Sequence, residues 1–244
     1  MKDQALSGKS AFVTGGAKRI GRQIALTLAQ AGADITITYR SSKAEAANTV
    51  RALEALGRRA FAVECDVRSE ASVASAMDAS IAFHKQLNLL VNNAAVFDSS
   101  PLDELGLAQW NAVFETNARG PFLVTRTALP HLRATGGRVI HIGSLGGFRA
   151  WSGHAHYCSS KAALHMLTQA MAKAFAPEVT VNCVAPGWIE LDGDNSDVAT
   201  RFAQKTPMRR NGTAEEVAQA VLFFAAGPRF ITGQILAVDG GLGL

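Results

Sequence analysis

The chain has 244 residues, 48% of them apolar and 18% charged, with a net charge of +4. That length suits one or two domains, and the apolar share supports a sizeable core and excludes global disorder. No Lys/Arg run is long enough to track a polyanion, and the basic pairs Arg58-Arg59 and Arg209-Arg210 read as solvated surface, so no nucleic-acid partner is expected.

The opening segment "MKDQALSGKS" lacks the apolar stretch of a signal peptide, and no apolar run reaches the ~18 residues of a membrane helix. Cys65, Cys158 and Cys183 are odd in number, form no C-x-x-C pair and sit in apolar or helical surroundings. They read as reduced core thiols, and a cytoplasmic protein with no membrane partner is expected.

Short apolar runs alternate with longer segments of helical period. "SAFVT" (10–14), "DITITY" (34–39), "RAFAVECD" (59–66), "LNLLVNN" (87–93), "GRVIHIGS" (137–144), "VTVNCVAPG" (179–187) and "GQILAVDGG" (233–241) read as strands. Most are apolar throughout rather than alternating, as strands covered on both faces are. Between residues 93 and 137 two helical stretches are expected, broken near Asn117 and Pro121. Gly32 and Gly57 punctuate helix ends, Ser41, Ser69 and Thr213 read as N-caps, and Thr213 with Glu216 forms a capping box. The βα alternation predicts a single α/β domain: a Rossmann fold with a doubly wound, seven-stranded parallel sheet and helices on both faces. The polar stretch 189–212 reads as a substrate lid.

"TGGAKRIG" (14–21) ends the first strand and opens the first helix. Gly15 suits a tight turn, Gly21 suits close helix packing, and the free N–H groups at a helix start attract a pyrophosphate. A dinucleotide turn wants a middle glycine where this chain has Arg19, beside Lys18. The second strand ends Tyr39-Arg40-Ser41-Ser42, with no acid to hold the adenine ribose hydroxyls. A guanidinium and a hydroxyl suit a 2′-phosphate instead, so the expected cofactor is NADP(H), with Arg19 and Lys18 adding positive charge.

In "YCSSK", Tyr157 and Lys161 lie at i and i+4 on one helix face. An ammonium beside a phenol favours the phenolate and lowers its pKa, and such a pair can move a proton at a carbonyl oxygen. Ser144, just past a strand, can hydrogen-bond the same oxygen.

With "TGGAKRIG", Asp66-Val67, "NNAA" (92–95), "NARG" (117–120), Ser144, "YCSSK" and "PG" (186–187) in order, the chain resembles the short-chain dehydrogenases/reductases over essentially its whole length. The resemblance implies a catalytic tetrad of Asn117, Ser144, Tyr157 and Lys161, with Asn117 holding a water in a proton relay. It implies cofactor contacts from Gly15, Lys18, Arg19, Ile20, Gly21, Arg40, Ser41, Asp66, Val67, Asn93, Ala94, Tyr157, Lys161, Pro186, Gly187 and Ile189. Leu191 stands where the family often has a threonine. The chain is similar both to 3-oxoacyl-[acyl-carrier-protein] reductases and, in "AKRIG", "YRSS" and "NNAAVF", to pteridine reductases, in which an aromatic matching Phe97 stacks on the pterin. Those enzymes have Asp where this chain has Ser144, which favours a ketone over a pterin.

The leading expectation is therefore an NADPH-dependent carbonyl reductase, with pterin reduction as the alternative and a non-catalytic cofactor-sensing regulator as a distant one. Phe97, Ser144 and Trp188 are the expected substrate contacts. His154 and His156 have no third ligand at a suitable spacing, and "ELDGDNSD" (190–197) lacks a calcium-loop pattern, so no metal is expected. The apolar helix "AALHMLTQAMAKAF" and the tail "ILAVDGGLGL" suit burial against copies, a homotetramer or a dimer.

Overall fold

The first apolar run forms β1 (Ser10–Val13), and "TGGAKRIG" turns from it into α1 (Arg19–Gln30). In chain order there follow β2 (Asp34–Tyr39), α2 (Lys43–Ala55), β3 (Ala60–Glu64), α3 (Glu70–His84), β4 (Leu89–Asn92), α4 (Leu107–Phe114), α5 (Gly120–Thr135), β5 (Arg138–Ile142), α6 (Ala155–Phe175), β6 (Thr180–Pro186), β7 (Ile189–Glu190), α7 (Asp197–Lys205), β8 (Gly212–Thr213), α8 (Ala214–Ala226) and β9 (Ile235–Val238). This computed structural model describes residues 4–191 and 197–244.

Seven strands form one parallel sheet in the order β3-β2-β1-β4-β5-β6-β9. The chain winds outward from β1 in one direction and then from β4 in the other. Val13 is paired with Ile37 on one side and Val91 on the other. The sheet therefore reverses its winding between β1 and β4, and a crevice opens at the carboxyl ends of those strands.

Both faces are covered, which explains the continuous apolar runs. Ala11 and Val13 pack with Ile24 and Leu28 of α1 and Val217, Val221 and Phe224 of α8. The intervening Phe12 packs on the opposite face with Val73 and Met77 of α3, Val124 and Leu132 of α5 and Met171 of α6. Full burial of each such side chain contributes about 1.5–3 kcal/mol before chain entropy is subtracted. All three cysteines are buried free thiols.

The strands are mostly shorter than the apolar runs because their ends bend into loops at the crevice. Two expected caps hold: Ser69 accepts from the Ser72 amide, and Thr213 and Glu216 form the capping box. Ser41 does not cap; α2 starts one residue later, after Ser42. The expected break near Asn117 and Pro121 is instead a π-helical turn, Glu115–Arg119, continuous with α4 and α5. Pro121, with no N–H to donate, stands where the π-helical turn passes into α5. The expected lid 189–212 is not one loop. β7 pairs with β8, and α7 is amphipathic, setting Ala199 inward and Arg201 outward. The part of the lid at residues 192–196 lies outside the described residues.

Candidate active site

The crevice holds a cleft of about 440 Å³. It gathers Gly15, Lys18, Arg19, Ile20 and Gly21 from the first turn, Arg40 and Ser41 from the end of β2, Asp66 and Val67 after β3, and Asn93 and Ala94 after β4. These are the expected cofactor residues of the first half of the chain. Pro186 ends β6, and Gly187 and Ile189 follow it at the same edge of the sheet, but none of the three lines this cleft. Gly187 packs against Asp239, where a Cβ would come within 2.8 Å, and Ile189 is buried. Leu191 does line the cleft.

The turn is fastened before any ligand arrives. The Thr14 hydroxyl accepts from the amides of Asn93 and Ala94, at 2.9 and 3.0 Å. The Asn93 side chain donates to the carbonyls of Thr14 and Gly15, at 2.9 and 3.1 Å. Gly15 has φ +63°, and its amide donates to the Thr38 hydroxyl. A Cβ on Gly21 would stand 2.3 Å from the Gly15 oxygen. Asn93 thus clamps β1 to β4 besides lining the cleft. Thr38, which is not among the expected site residues, fixes the turn from β2, where it is buried.

The residues fit an anionic dinucleotide. The first residue of α1, Arg19, holds φ +54°, the left-handed region where a glycine is at ease. The N-terminus of α1 has no side-chain cap and no acid in its first turn, whereas α3 and α8 have both. The partial positive charge of α1 is therefore left for a ligand. Arg68 forks onto the Asp66 carboxylate at 2.6–3.1 Å and holds its pKa near 2, with Arg40 adding to the shift. Asp66 is thus matched by Arg68, and Arg40 lines the cleft at the end of β2. Lys18 is 3.9 Å from Glu45, both well exposed.

The chemistry-bearing residues meet beyond β5. Ser144 caps the short 3₁₀ turn Leu145–Gly147, its hydroxyl accepting from the Gly146 amide at 3.1 Å. Its hydroxyl and the Tyr157 ring meet around Gly146, where a Cβ would stand 3.4 Å from each. Lys161 is buried one turn further along α6, and its ammonium donates to the Ile142 carbonyl at 2.8 Å. The expectation that Lys161 pulls the Tyr157 pKa down is corrected here. Burial raises the phenol's pKa, and the neighbouring Ser144 opposes it in part. The Lys161 Nζ is 5.8 Å from the Tyr157 ring centroid, and burial lowers its own pKa to about 8.

Asn117 lies in the π-helical turn, which aims its side chain at Val96 and Ser160. Its Oδ1 accepts from the Val96 amide, and its Nδ2 donates to the Val96 carbonyl and the Ser160 hydroxyl. Both amide donors are used in tying α6 to the loop after β4.

Aromatic rings surround Tyr157. Phe97 meets it edge-on at 4.8 Å, and Trp151 lies nearly parallel to it at 6.4 Å. His154 stacks under Phe97 at 4.7 Å and is anchored through Nδ1 to the Asp98 carbonyl. His156 is buried, 4.0 Å from the Asp98 carboxylate. Trp188 stacks on Phe202 at 4.4 Å, and its indole N–H is buried with no acceptor among the described residues. Phe202 was not foreseen, because it lies on α7 inside a stretch whose composition reads as a loop.

The chain belongs to the short-chain dehydrogenase/reductase family of oxidoreductases. The family model for enoyl-(acyl carrier protein) reductase matches residues 15–243. The chain is 35% identical to the 3-oxoacyl-[acyl-carrier-protein] reductase of Aquifex aeolicus, covering 97% of this chain and 98% of the relative. It is 37% identical to the cis-4-hydroxycyclohexanecarboxylate dehydrogenase of Sinomonas cyclohexanicum, covering 98% of each. Among solved structures, a short chain dehydrogenase from Burkholderia cenocepacia in complex with NADP superposes with a TM-score of 0.93, at 37% identity over 98% of this chain and 100% of that one. No described helix is long and apolar enough to cross a membrane.

Proposed function

We propose that the chain is an NADP(H)-dependent oxidoreductase that interconverts a carbonyl and an alcohol. The observation that carries this reading is the gathering of Ser144, Tyr157 and buried Lys161, Ser144 and Tyr157 meeting around Gly146, on the same carboxyl edge of the sheet as a cleft rimmed by Arg19 and Arg40. The NADP-bound Burkholderia relative supports the cofactor.

Gly15, Lys18, Arg19, Ile20 and Gly21 would hold the pyrophosphate, and Arg40 and Ser41 the 2′-phosphate. Asp66, Val67, Asn93 and Ala94 would hold the adenosine, and Pro186, Gly187 and Ile189 the nicotinamide end. When bound, the dihydronicotinamide supplies the hydride. Tyr157, kept protonated by burial, gives its proton to the carbonyl oxygen, and Ser144 polarises that oxygen by a second hydrogen bond. Lys161 spends one of its three donors on Ile142, which leaves two for the nicotinamide ribose and for proton return to Tyr157. Asn117 holds the helix that carries both.

A second reading, reduction of a dihydropterin, is favoured by Phe97, whose ring is 53% exposed beside Tyr157. Ser144, where pteridine reductases have Asp, supports the carbonyl instead. The test is NADPH oxidation against β-ketoacyl thioesters, small ketones, quinones and dihydrobiopterin. Ketone turnover with NADPH well above that with NADH is expected, and turnover confined to dihydrobiopterin would replace the reading.

Self-association as a homotetramer, or a dimer, belongs to the same proposal. It rests on the exposed Met166 of α6, the exposed Leu236 of edge strand β9, and the exposed Phe148 and Leu244. A monomeric mass by light scattering at micromolar concentration would refute it. The buried free thiols support a cytoplasmic location.

A further inference from the structure

The turn that presents Ser144 carries a glycine at each end, and neither is there for its backbone. Gly143 and Gly147 both lack the positive φ that favours glycine. What they lack is room. A Cβ on Gly143 would stand 2.5 Å from the His165 Nε2 and 2.7 Å from the Cys183 Sγ. A Cβ on Gly147 would stand 2.7 Å from the His165 Nδ1. One imidazole therefore fills the space against both ends of the turn, with the Phe148 ring tilted onto it at 4.5 Å.

His165 follows Tyr157 and Lys161 at the same four-residue spacing along α6, so it extends the helix face that carries the site. It is buried, and neither ring nitrogen has a hydrogen-bond partner among the described residues. Burial, and next the Lys161 ammonium, lower its pKa to about 4, so the ring is neutral at neutral pH. With no charge and no hydrogen bond, what it brings to the turn is shape. The turn is pinned elsewhere, by the Gly143 amide on the Val184 carbonyl at 2.7 Å and by Gly243 packed on Leu145. A close-packed interior passes a change in one member on to its neighbours.

We infer that His165 is a positioning residue: its ring is a wedge that sets how far the turn 143–147 stands off α6, and so where the Ser144 hydroxyl meets the carbonyl oxygen beside Tyr157. This deepens the carbonyl-reductase reading and rests on it for the role of Ser144. Neither His165 nor the turn lines the cofactor cleft, so the effect falls on the chemical step and not on cofactor binding.

Two double-mutant cycles on the full chain test it. The first crosses His165→Ala with Gly147→Ala and reads denaturant midpoints. Gly147→Ala should lower the midpoint of the wild type but leave it unchanged or raise it in His165→Ala, where the new methyl enters the vacated space. Additive shifts would overturn the wedge. The second crosses His165→Ala with Ser144→Ala and reads kcat and KM for the carbonyl compound turned over fastest in the reductase panel, with the NADPH dissociation constant. His165→Ala should lower kcat about ten- to a hundredfold, as a displaced transition-state donor does, with KM and NADPH affinity within about threefold of wild type. In the Ser144→Ala protein the same change should cost no more than about twofold, because the group it positions is gone. The same loss of kcat in both backgrounds, or a parallel loss of NADPH affinity, would overturn the assignment. Should His165→Ala not fold, His165→Asn, which shortens the side chain without emptying the site, takes its place in both cycles. A wild type that reduces no carbonyl compound would sink the reductase reading, while the stability cycle still decides whether His165 sets the turn.

Discussion

Replacing Arg19 by glycine separates what its backbone does from what its side chain does. At φ +54° the residue holds a conformation that costs an L-amino acid about 1–2 kcal/mol. Glycine removes that strain but loosens the unfolded chain by about 0.4–1 kcal/mol. The net effect on stability should be near zero or a gain of about 1 kcal/mol. The guanidinium, exposed at the cleft rim, is expected to make a charge-assisted hydrogen bond to phosphate, worth about 1.5–3 kcal/mol. NADPH affinity should therefore fall about ten- to a hundredfold, toward the low end at high salt because the site is screened. Arg19→Ala keeps the strain and loses the charge, so it should bind NADPH as weakly as the glycine variant without its gain in stability. Calorimetric dissociation constants for NADPH and NADH at two ionic strengths, with denaturant midpoints for all three proteins, make the comparison. Wild-type NADPH affinity in both variants would show that the strained arginine is not there for the phosphates.

Arg40→Asp should weaken NADPH far more than NADH, since it trades attraction for repulsion at the end of β2 only when a 2′-phosphate is present; equal losses in titrations of both cofactors would remove Arg40 from that role. Tyr157→Phe should lose nearly all turnover while cofactor affinity stays within a few-fold, because the ring that packs between Phe97 and Trp151 is retained; turnover near wild type would end the proton-donor assignment. For Lys161, the folded pKa near 8 lies below the ordinary value of 10.5, so between those values the unfolded state binds the extra proton and stability rises with pH. Measured without cofactor, the wild type should gain on Lys161→Met by about 1.4 kcal/mol per pH unit across that window. Taking the difference removes the fall in stability above pH 9 from Cys65, raised to about 11; Cys183, raised to about 12, interacts with Lys161 and does not cancel, so the slope is read between pH 8 and 9. A pH-independent difference would mean that Lys161 is not a buried, depressed ammonium.

The order of the elements was legible because β1, β4 and β6 are covered on both faces, which leaves uninterrupted apolar runs between helical periods. The cofactor cleft was legible because each of its residues follows a strand end, and strand ends are what the pattern locates best. The elements within 189–212 were missed because α7 is short and polar on one side, so composition resembled a loop and hid Phe202. The electrostatics were misread for a different reason. Sequence spacing set Lys161 one turn from Tyr157 but said nothing of the Ile142 carbonyl that takes the ammonium, nor of the burial that dominates both groups. Thr14, Thr38 and Asn93 show the same limit, since side chains that fasten a turn to neighbouring strands carry no local signature of doing so.

Burial alone moves the two central groups in opposite directions on the pKa scale but toward the same electrical state. It raises Tyr157 and lowers Lys161, so each is driven toward neutrality. For the phenol that is the protonated form, the one a proton donor needs. For the amine, a value near 8 still leaves most of it charged at neutral pH. The resting site therefore holds a protonated tyrosine beside a cation, poised to stabilise an oxyanion and to protonate it. That state suits delivery of a proton to a carbonyl oxygen more than removal of one from an alcohol. Oxidation asks for a phenolate, which burial disfavours and which a rise in pH promotes. In the proposed reaction the resting site thus starts in the protonation state that reduction uses, and oxidation needs the phenol to ionise first.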